Sequence, residues 1–83
     1  MKEFSIKILS PSGLIHEGTC SSLTFPTDDG LYGIMANHSP LVAALSEGVI
    51  TVANGELKKE FPVKPGILVC KDNSVIVTTE GKI

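Results

Sequence analysis

"VITVANGELKKEFPV", residues 49–63, contains two runs that are typical of β-strands on either side of Asn54-Gly55. The first run is rich in β-branched residues, and in the second run apolar and charged residues alternate, which favours strands over helices. Asn-Gly suits a two-residue type I′ hairpin loop, in which both loop positions have positive φ. Lys59 interrupts the apolar side of the second run, which predicts a strand at the edge of a sheet.

Similar short runs occur on both sides of this stretch. They are FSIKI (4–8), GILVC (66–70) and SVIVTT (74–79), and turn signals occur at SPSG (10–13), KPG (64–66) and KDNS (71–74). Such regular spacing predicts an all-β fold, a small antiparallel β-sandwich of about eight to ten short strands. The exception is PLVAALSEG (40–48), which is predicted to contain at most one helical turn, near residues 41–46.

The composition limits the domain count and the class of partner. The 83 residues form one domain, 1–83, with a small core that would gain stability from a partner subunit. The net charge is only −2 and there is no arginine, so neither nucleic acid nor an anionic membrane surface is expected as a partner. Three phenylalanines and one tyrosine are few for a surface that stacks nucleic-acid bases.

The two cysteines, Cys20 and Cys70, both lie in apolar strand-like runs. We expect buried free thiols in a reducing compartment, with a disulfide as the alternative. No signal peptide opens the chain, and no segment approaches the ~20 apolar residues of a membrane span. The sequence therefore predicts a soluble cytoplasmic protein, which could still be attached to a membrane complex.

His38 and Ser39 raise the question of nucleophilic catalysis. Adjacent residues of an extended chain point to opposite faces, and the flanks lack a Gly-x-Ser-x-Gly motif, so a catalytic pair is not expected. A metal site would need His16 and His38 together with Cys20 or Asp28, but their spacing is not that of metal ligands. A turn histidine whose ring bonds the backbone is the simpler interpretation.

Other local patterns also lack a catalytic or cofactor signature. Asp28-Asp29 is typical of a turn and has too few oxygen ligands for calcium, although an exposed acidic loop could contact a basic partner. Gly30 is not followed by the lysine and helix of a phosphate-binding loop. A β-sandwich that carries a prosthetic group displays a lysine at a hairpin tip. Lys58 and Lys59 follow the Asn-Gly turn, but without the residues that flank such a lysine.

The pattern as a whole resembles a known family, the N-terminal β-sandwich domain of the epsilon subunit of bacterial F-type ATP synthase. The most specific stretch of that family reads roughly Gly-x-x-Gly-Ile-x-x-x-His-x-Pro-Leu-x-x-x-Leu-x-x-Gly. The matching residues here are Gly30, Gly33, Ile34, His38, Pro40, Leu41, Leu45 and Gly48. The order and spacing of the other strand-like runs agree as well, so that the resemblance covers essentially all 83 residues.

The chain also departs from the family pattern. Ala36 stands where the family usually has proline, Glu47-Gly48 where it has Pro-Gly, and 64–66 where Ser-Gly-Gly is common. Most members continue into a two-helix C-terminal domain that binds ATP in some species. This sequence ends at Ile83, after the last predicted strand. If 83 residues is the natural length, the helical domain and its ATP site are missing, and no cofactor is expected.

The resemblance implies a function without covalent chemistry. It implies a non-catalytic central-stalk (rotor) subunit that links the gamma subunit to the c-ring and couples proton or sodium ion translocation to ATP synthesis or hydrolysis elsewhere. By resemblance, Asp28, Asp29, Gly30, Leu31 and His38 contact the polar loops of the c-ring, and another face packs on gamma. The subunit is then peripheral on the cytoplasmic face of the bacterial cell membrane. The alternative interpretation is a small β-sandwich interaction module or a prosthetic-group carrier.

Overall fold

The computed structural model describes residues 2–83, and these fold into nine β-strands. The strands are β1 (Phe4–Ser10), β2 (Gly13–Cys20), β3 (Ser22–Thr27), β4 (Gly30–Met35), β5 (Leu41–Leu45), β6 (Gly48–Asn54), β7 (Leu57–Val63), β8 (Gly66–Lys71) and β9 (Ser74–Thr79). Within the described residues there is no helix of a length and hydropathy that would cross a membrane.

Two sheets pack face to face, which confirms the predicted β-sandwich. One sheet has five strands in the order β2-β1-β9-β8-β5, and the other has four in the order β4-β3-β6-β7. Neighbouring strands are antiparallel with one exception, because β1 and β9 run parallel, from Ser5 opposite Ser74 to Leu9 opposite Thr78. The first and last strands of the chain therefore lie side by side near the middle of the larger sheet.

The core lies between the sheets because every second side chain of the inner strands points inward. The largest fully buried side chains are Phe25, Ile6, Ile8, Leu23, Ile50 and Leu68. Cys20 and Cys70 belong to the same core and are free thiols, as predicted. Burial raises the pKa of Cys20 to about 11, with a smaller contribution from Glu3, and burial also raises the pKa of Cys70.

The single helical turn that the sequence allowed near residues 41–46 does not form. Residues 41–45 form β5, which pairs antiparallel with β8, so that Leu41 lies opposite Cys70 and Leu45 opposite Gly66. Burial alternates along β5, with Leu45 in the core and Val42 exposed. The backbone groups of β8 on that side bond to β5, and this long-range pairing outweighs the local helix propensity of the two alanines.

The hairpin loops differ in type from the prediction. Asn54 is the last residue of β6, and the loop consists of Gly55 and Glu56, of which only Gly55 has positive φ (64°). This sign pattern is that of a type II′ turn, so the predicted type I′ loop is wrong here. The type I′ pattern occurs instead between β8 and β9, where Asp72 and Asn73 have φ of 54° and 59°. The prediction that the strand containing Lys59 lies at a sheet edge is confirmed, because β7 ends the smaller sheet.

Candidate functional site

Asp28 and Asp29 form the two-residue turn that joins β3 to β4. The Thr27 hydroxyl fixes this turn, because it donates a hydrogen bond to the carbonyl oxygen of Gly30 (2.7 Å) and accepts one from the Asp29 amide (3.2 Å). Gly30 has φ of 110°, which a residue with a side chain rarely adopts. Both aspartates are exposed, and Leu31 after them is 74% exposed.

A surface cleft lies between this turn and β5. Asp28, Asp29 and Tyr32 line one part of it, and Ala43 and Ala44 line another. The strands β4 and β5 end different sheets, so the cleft marks an open side of the sandwich. Tyr32 is not recognisable from the sequence, because a single aromatic residue in a strand carries no motif.

Tyr32 connects the acidic turn with His38. Its ring centroid lies 5.5 Å from that of the buried Phe25 and 6.2 Å from that of His38, which meets it edge-on. The structure therefore places Asp28, Asp29, Gly30, Leu31, Tyr32 and His38 along one side of the sandwich, a surface that we call the acidic edge.

His38 bonds its own backbone segment. Its Nδ1 lies 2.7 Å from the carbonyl oxygen of Ser39, and a carbonyl can only accept, so Nδ1 carries the proton. The ring thus contacts the carbonyl of Ser39 and not its hydroxyl. This confirms the interpretation of His38 as a turn histidine that bonds the backbone.

The residues considered for a metal site do not converge. His16 lies on β2 and stacks on Phe61 of β7, with 4.8 Å between the ring centroids, whereas His38 follows β4. Burial lowers the pKa of His16, and the nearby positive charge of Lys59 lowers it further. Among residues 2–83 no three histidine, cysteine, aspartate or glutamate side chains lie close enough to share a metal ion.

The lysines considered for a prosthetic group are not at a hairpin tip. Gly55 and Glu56 form the tip, and Lys58 and Lys59 lie within β7. A carrier lysine must reach the active sites of other enzymes from the tip, so this placement does not favour the carrier interpretation.

The outer face of the larger sheet carries a row of apolar side chains. Val42, Val69 and Ile76 lie opposite one another on β5, β8 and β9, and they are 71%, 40% and 44% exposed. The same row continues across β1 and β2 with Lys7 and Glu17, whose side chains form an ion pair (3.3 Å). We call Val42, Val69 and Ile76 the apolar row.

The outer face of the smaller sheet is polar at the corresponding place. Gly33, Thr24, Thr51 and Glu60 lie opposite one another across β4, β3, β6 and β7. These two rows therefore differ in chemistry, and the β-branched row lies on the larger sheet, whereas the exposed apolar side chains on the outer face of the smaller sheet, Leu31, Met35 and Val49, lie outside the row that contains Thr51. Exposed apolar groups that lie together in this way are typical of protein-binding surfaces.

A small β-sandwich with an acidic edge and a separate apolar row has the features of an interaction domain. The chain belongs to the ATP synthase delta/epsilon chain β-sandwich domain family, whose model matches residues 3–83. It is 36% identical over 78 residues to the ATP synthase epsilon chain of Leptospira borgpetersenii, a match that covers 94% of this chain and 61% of that protein. It is 32% identical over 84 residues to the epsilon chain of Sulfurimonas denitrificans, covering 100% of this chain and 65% of that one.

Solved structures share the fold. A chain of the Euglena gracilis mitochondrial ATP synthase (OSCP/F1/c-ring) matches with a TM-score of 0.89 at 20% identity, covering 98% of this chain and 52% of that chain. A chain of the Tetrahymena thermophila mitochondrial ATP synthase central stalk and c-ring matches with a TM-score of 0.75 at 13% identity, covering 90% and 61%. The chain thus spans less than two thirds of the length of each of these proteins.

Proposed function

We propose that this chain is the sandwich domain of a rotor subunit that joins the gamma subunit to the c-ring of an ATP synthase. In this role it is a non-catalytic part of the central stalk, peripheral on the cytoplasmic face of the bacterial cell membrane. It transmits torque between the c-ring and the gamma subunit. In one direction proton or sodium ion translocation drives ATP synthesis, and in the other ATP hydrolysis drives ion translocation. Membership of the delta/epsilon family supports this proposal, as do the matched chains from central-stalk and c-ring assemblies.

One structural observation carries the proposal, namely that two exposed surfaces of different chemistry lie on different elements. The acidic edge lies on the β3–β4 turn, β4 and the segment after it, and the apolar row lies on the outer face of the larger sheet. A subunit that bridges two partners needs two such surfaces. Differing chemistry also prevents each partner from binding at the wrong place.

The acidic edge suits the polar loops of the c-ring, which in the family include arginine. Asp28 and Asp29 are exposed at the tip of a turn that the Thr27 hydroxyl holds in place. A guanidinium group can bond a carboxylate through two parallel hydrogen bonds, so such a turn can both attract and orient a basic loop. Leu31 and Tyr32 add apolar area beside the charges.

The apolar row suits the gamma subunit. Val42, Val69 and Ile76 are β-branched and held in strands, so they lose little side-chain entropy when a partner covers them. The Lys7–Glu17 ion pair borders the row on the β1 side and provides a polar rim. A contact that must transmit torque between subunits benefits from such a rigid surface.

Charge reversal at the acidic edge tests the contact with the ring. Asp28→Lys/Asp29→Lys should lower coupling efficiency in vesicles that contain the reconstituted enzyme, with the fold of the domain unchanged. The control is Glu56→Lys/Glu60→Lys, which changes the net charge equally but lies on the β6–β7 hairpin. Equal coupling by the Asp28/Asp29 variant and the wild type would contradict the assignment.

Cosedimentation with gamma from the same organism tests the other surface. The wild type should form a stable one-to-one complex, and Val69→Lys, at the centre of the apolar row, should weaken it at least about 100-fold, since a charge would be buried without a partner. Thr51→Lys is the matched control, because Thr51 lies opposite Glu60 on the other outer face. If Thr51→Lys weakens the complex and Val69→Lys does not, gamma binds the smaller sheet instead.

A further inference from the structure

We propose that Asn73 is a positioning residue for the acidic edge, because its carboxamide fixes the segment that carries His38. The inference rests on the proposed contact between the acidic edge and the c-ring. Asn73 lies in the β8–β9 turn, far from His38 in sequence, and no motif connects the two residues.

The Asn73 side chain joins two other parts of the chain at once. Its Oδ1 accepts a hydrogen bond from the Asn37 amide (2.7 Å), and its Nδ2 donates one to the carbonyl oxygen of Glu3 (2.9 Å). Its own carbonyl oxygen accepts a bond from the Ser5 amide (3.3 Å). The β8–β9 turn, the start of β1 and the connection from β4 to β5 therefore meet at one residue.

The connection from β4 to β5 needs such an anchor. It leads from one sheet to the other, so residues 36–40 lie outside both hydrogen-bonded ladders. Asn37 has φ of 64°, a left-handed conformation that asparagine adopts more readily than most residues with a side chain, but still at a cost in free energy. The bond from its amide to Asn73 Oδ1 favours this conformation and ties the segment to the larger sheet.

His38 follows Asn37 directly, so the position of Asn37 determines where the imidazole lies. The ring is then held by the Ser39 carbonyl at 2.7 Å and by the edge-on contact with Tyr32. If the Asn37 amide loses its acceptor, the segment can turn away from β4 and carry the imidazole away from Tyr32. Asn73 thus acts on docking through His38, without itself belonging to the acidic edge.

Three variants separate this role from a general role in folding. Asn73→Gly keeps the positive φ but removes both side-chain bonds, and Asn73→Asp keeps an acceptor for the Asn37 amide but removes the donor to Glu3. Asp72→Gly is the matched control, because Asp72 has positive φ in the same turn and makes neither of these bonds.

Affinity for the isolated c-ring is measured with the full-length subunit bound to gamma. We expect Asn73→Gly to weaken ring binding about as much as His38→Ala does, several-fold, and the double variant to bind no more weakly than His38→Ala alone. Binding to gamma should not change, and Asn73→Asp and Asp72→Gly should stay within about twofold of the wild type for the ring. Amide hydrogen exchange at Asn37 in the unbound subunit should become faster in Asn73→Gly and not in Asp72→Gly.

Two patterns of ring binding and one result of hydrogen exchange would overturn the inference. If His38→Ala weakens ring binding but Asn73→Gly does not, or if the two effects add, Asn73 does not position His38 although the acidic edge still contacts the ring. If neither His38→Ala nor Asp28→Lys/Asp29→Lys affects ring binding, the proposed contact itself is wrong, and the inference fails with it. An unchanged rate of amide hydrogen exchange at Asn37 in the Asn73→Gly variant would overturn the inference, whatever the c-ring affinities are.

Discussion

The sandwich has two open sides, and each is covered by an aromatic residue in contact with a histidine. On one side Tyr32 of β4 meets His38, and on the other Phe61 of β7 meets His16 of β2. The charged residues on the two sides differ. The Phe61 side carries exposed Lys58, Lys59 and Glu60 on β7, whereas the Tyr32 side carries Asp28 and Asp29 on the turn before β4.

The difference shows which open side is protected against pairing with a further strand in the monomer. Lysines and a proline on an edge strand discourage pairing with a further strand, and β7 carries Lys58, Lys59 and Pro62. The other edge strand of the same sheet, β4, has no charged residue and no proline, and its Leu31 and Met35 are 74% and 69% exposed. Strand β4 is therefore the edge of this sheet without such protection, which agrees with the proposed function, in which the Tyr32 side faces a partner.

The largest difference should appear in stability. Phe61 packs against the core, so Phe61→Ala should lower the free energy of unfolding by roughly 2–3 kcal/mol. Tyr32 is nearly half exposed, so Tyr32→Ala should cost only about 1 kcal/mol while it weakens docking of the acidic edge to the ring. Urea denaturation of the two variants and the wild type measures both losses. Equal losses in the free energy of unfolding would mean that Tyr32 contributes as much to the stability of the fold as Phe61 does.

Exchanging the surface character of the two edges should change self-association. Lys58→Thr/Lys59→Val removes both positive charges from β7, and we expect aggregation to begin at a several-fold lower protein concentration. Leu31→Lys/Met35→Lys should have the opposite effect on the free chain, because it places charges on β4. Static light scattering over a concentration series measures the onset. A β7 variant that remains monomeric at every concentration would show that the lysines do not protect this edge.

The pH dependence of stability should come partly from the Phe61 side. The pKa of His16 is lowered in the folded chain, so the unfolded chain binds the additional proton first as the pH falls through about 6.5. Stability is therefore lost as the pH falls from 7.5 towards the folded pKa and then levels off. His16→Gln should remove this component, so its Tm should fall less than that of the wild type between pH 7.5 and 5. If the Tm of His16→Gln falls as much as that of the wild type between pH 7.5 and 5, His16 is not the cause.

The smallest effect concerns the two lysines of β7. Lys59→Met removes the positive charge near His16, and the His16 pKa should rise towards its ordinary value but remain below it, because burial is the larger cause. An NMR titration of the imidazole in the intact chain measures the change. Lys58→Met is the control, because side chains of adjacent strand residues point to opposite faces. Equal shifts of the His16 pKa in Lys59→Met and Lys58→Met would show that the position of Lys59 beside His16 does not cause the effect.

The sequence is sufficient to predict strands whose alternation is strict, but not those whose pattern fits two structures. FSIKI alternates between apolar and polar residues and SVIVTT is rich in β-branched residues, and the structure confirms both as strands, β1 and β9. The leucines at 41 and 45 fit one face of a helix as well as one face of a strand, and the neighbour that decides between the two, β8, lies 25 residues further along the chain. The Asn-Gly hairpin loop is displaced by one residue for a related reason, because the pairing of β6 with β7 fixes the register.

Only some residues of the acidic edge can be predicted from the sequence. Asp28 and Asp29 are recognisable as an exposed turn, and the motif that contains His38 identifies its family. Tyr32 and Asn73 are not recognisable, because the importance of each depends on a contact with His38 or with Asn37 that exists only after both sheets have formed. The sequence likewise places Val69 in a strand, but it does not show that Val69 faces outward or that Val42 and Ile76 lie beside it.

The parallel pairing of β1 with β9 has a consequence for synthesis. Strand β9 lies between β1 and β8, so until residues 74–79 have left the ribosome the larger sheet exists as two separate parts with a gap between them. A contact between the two ends of a chain is entropically costly to form, and proteins rich in such contacts fold in milliseconds to seconds. Folding of this domain therefore follows translation of its last strand, and a nascent chain that stalls before Val75 exposes the core side of β1 to chaperones and proteases.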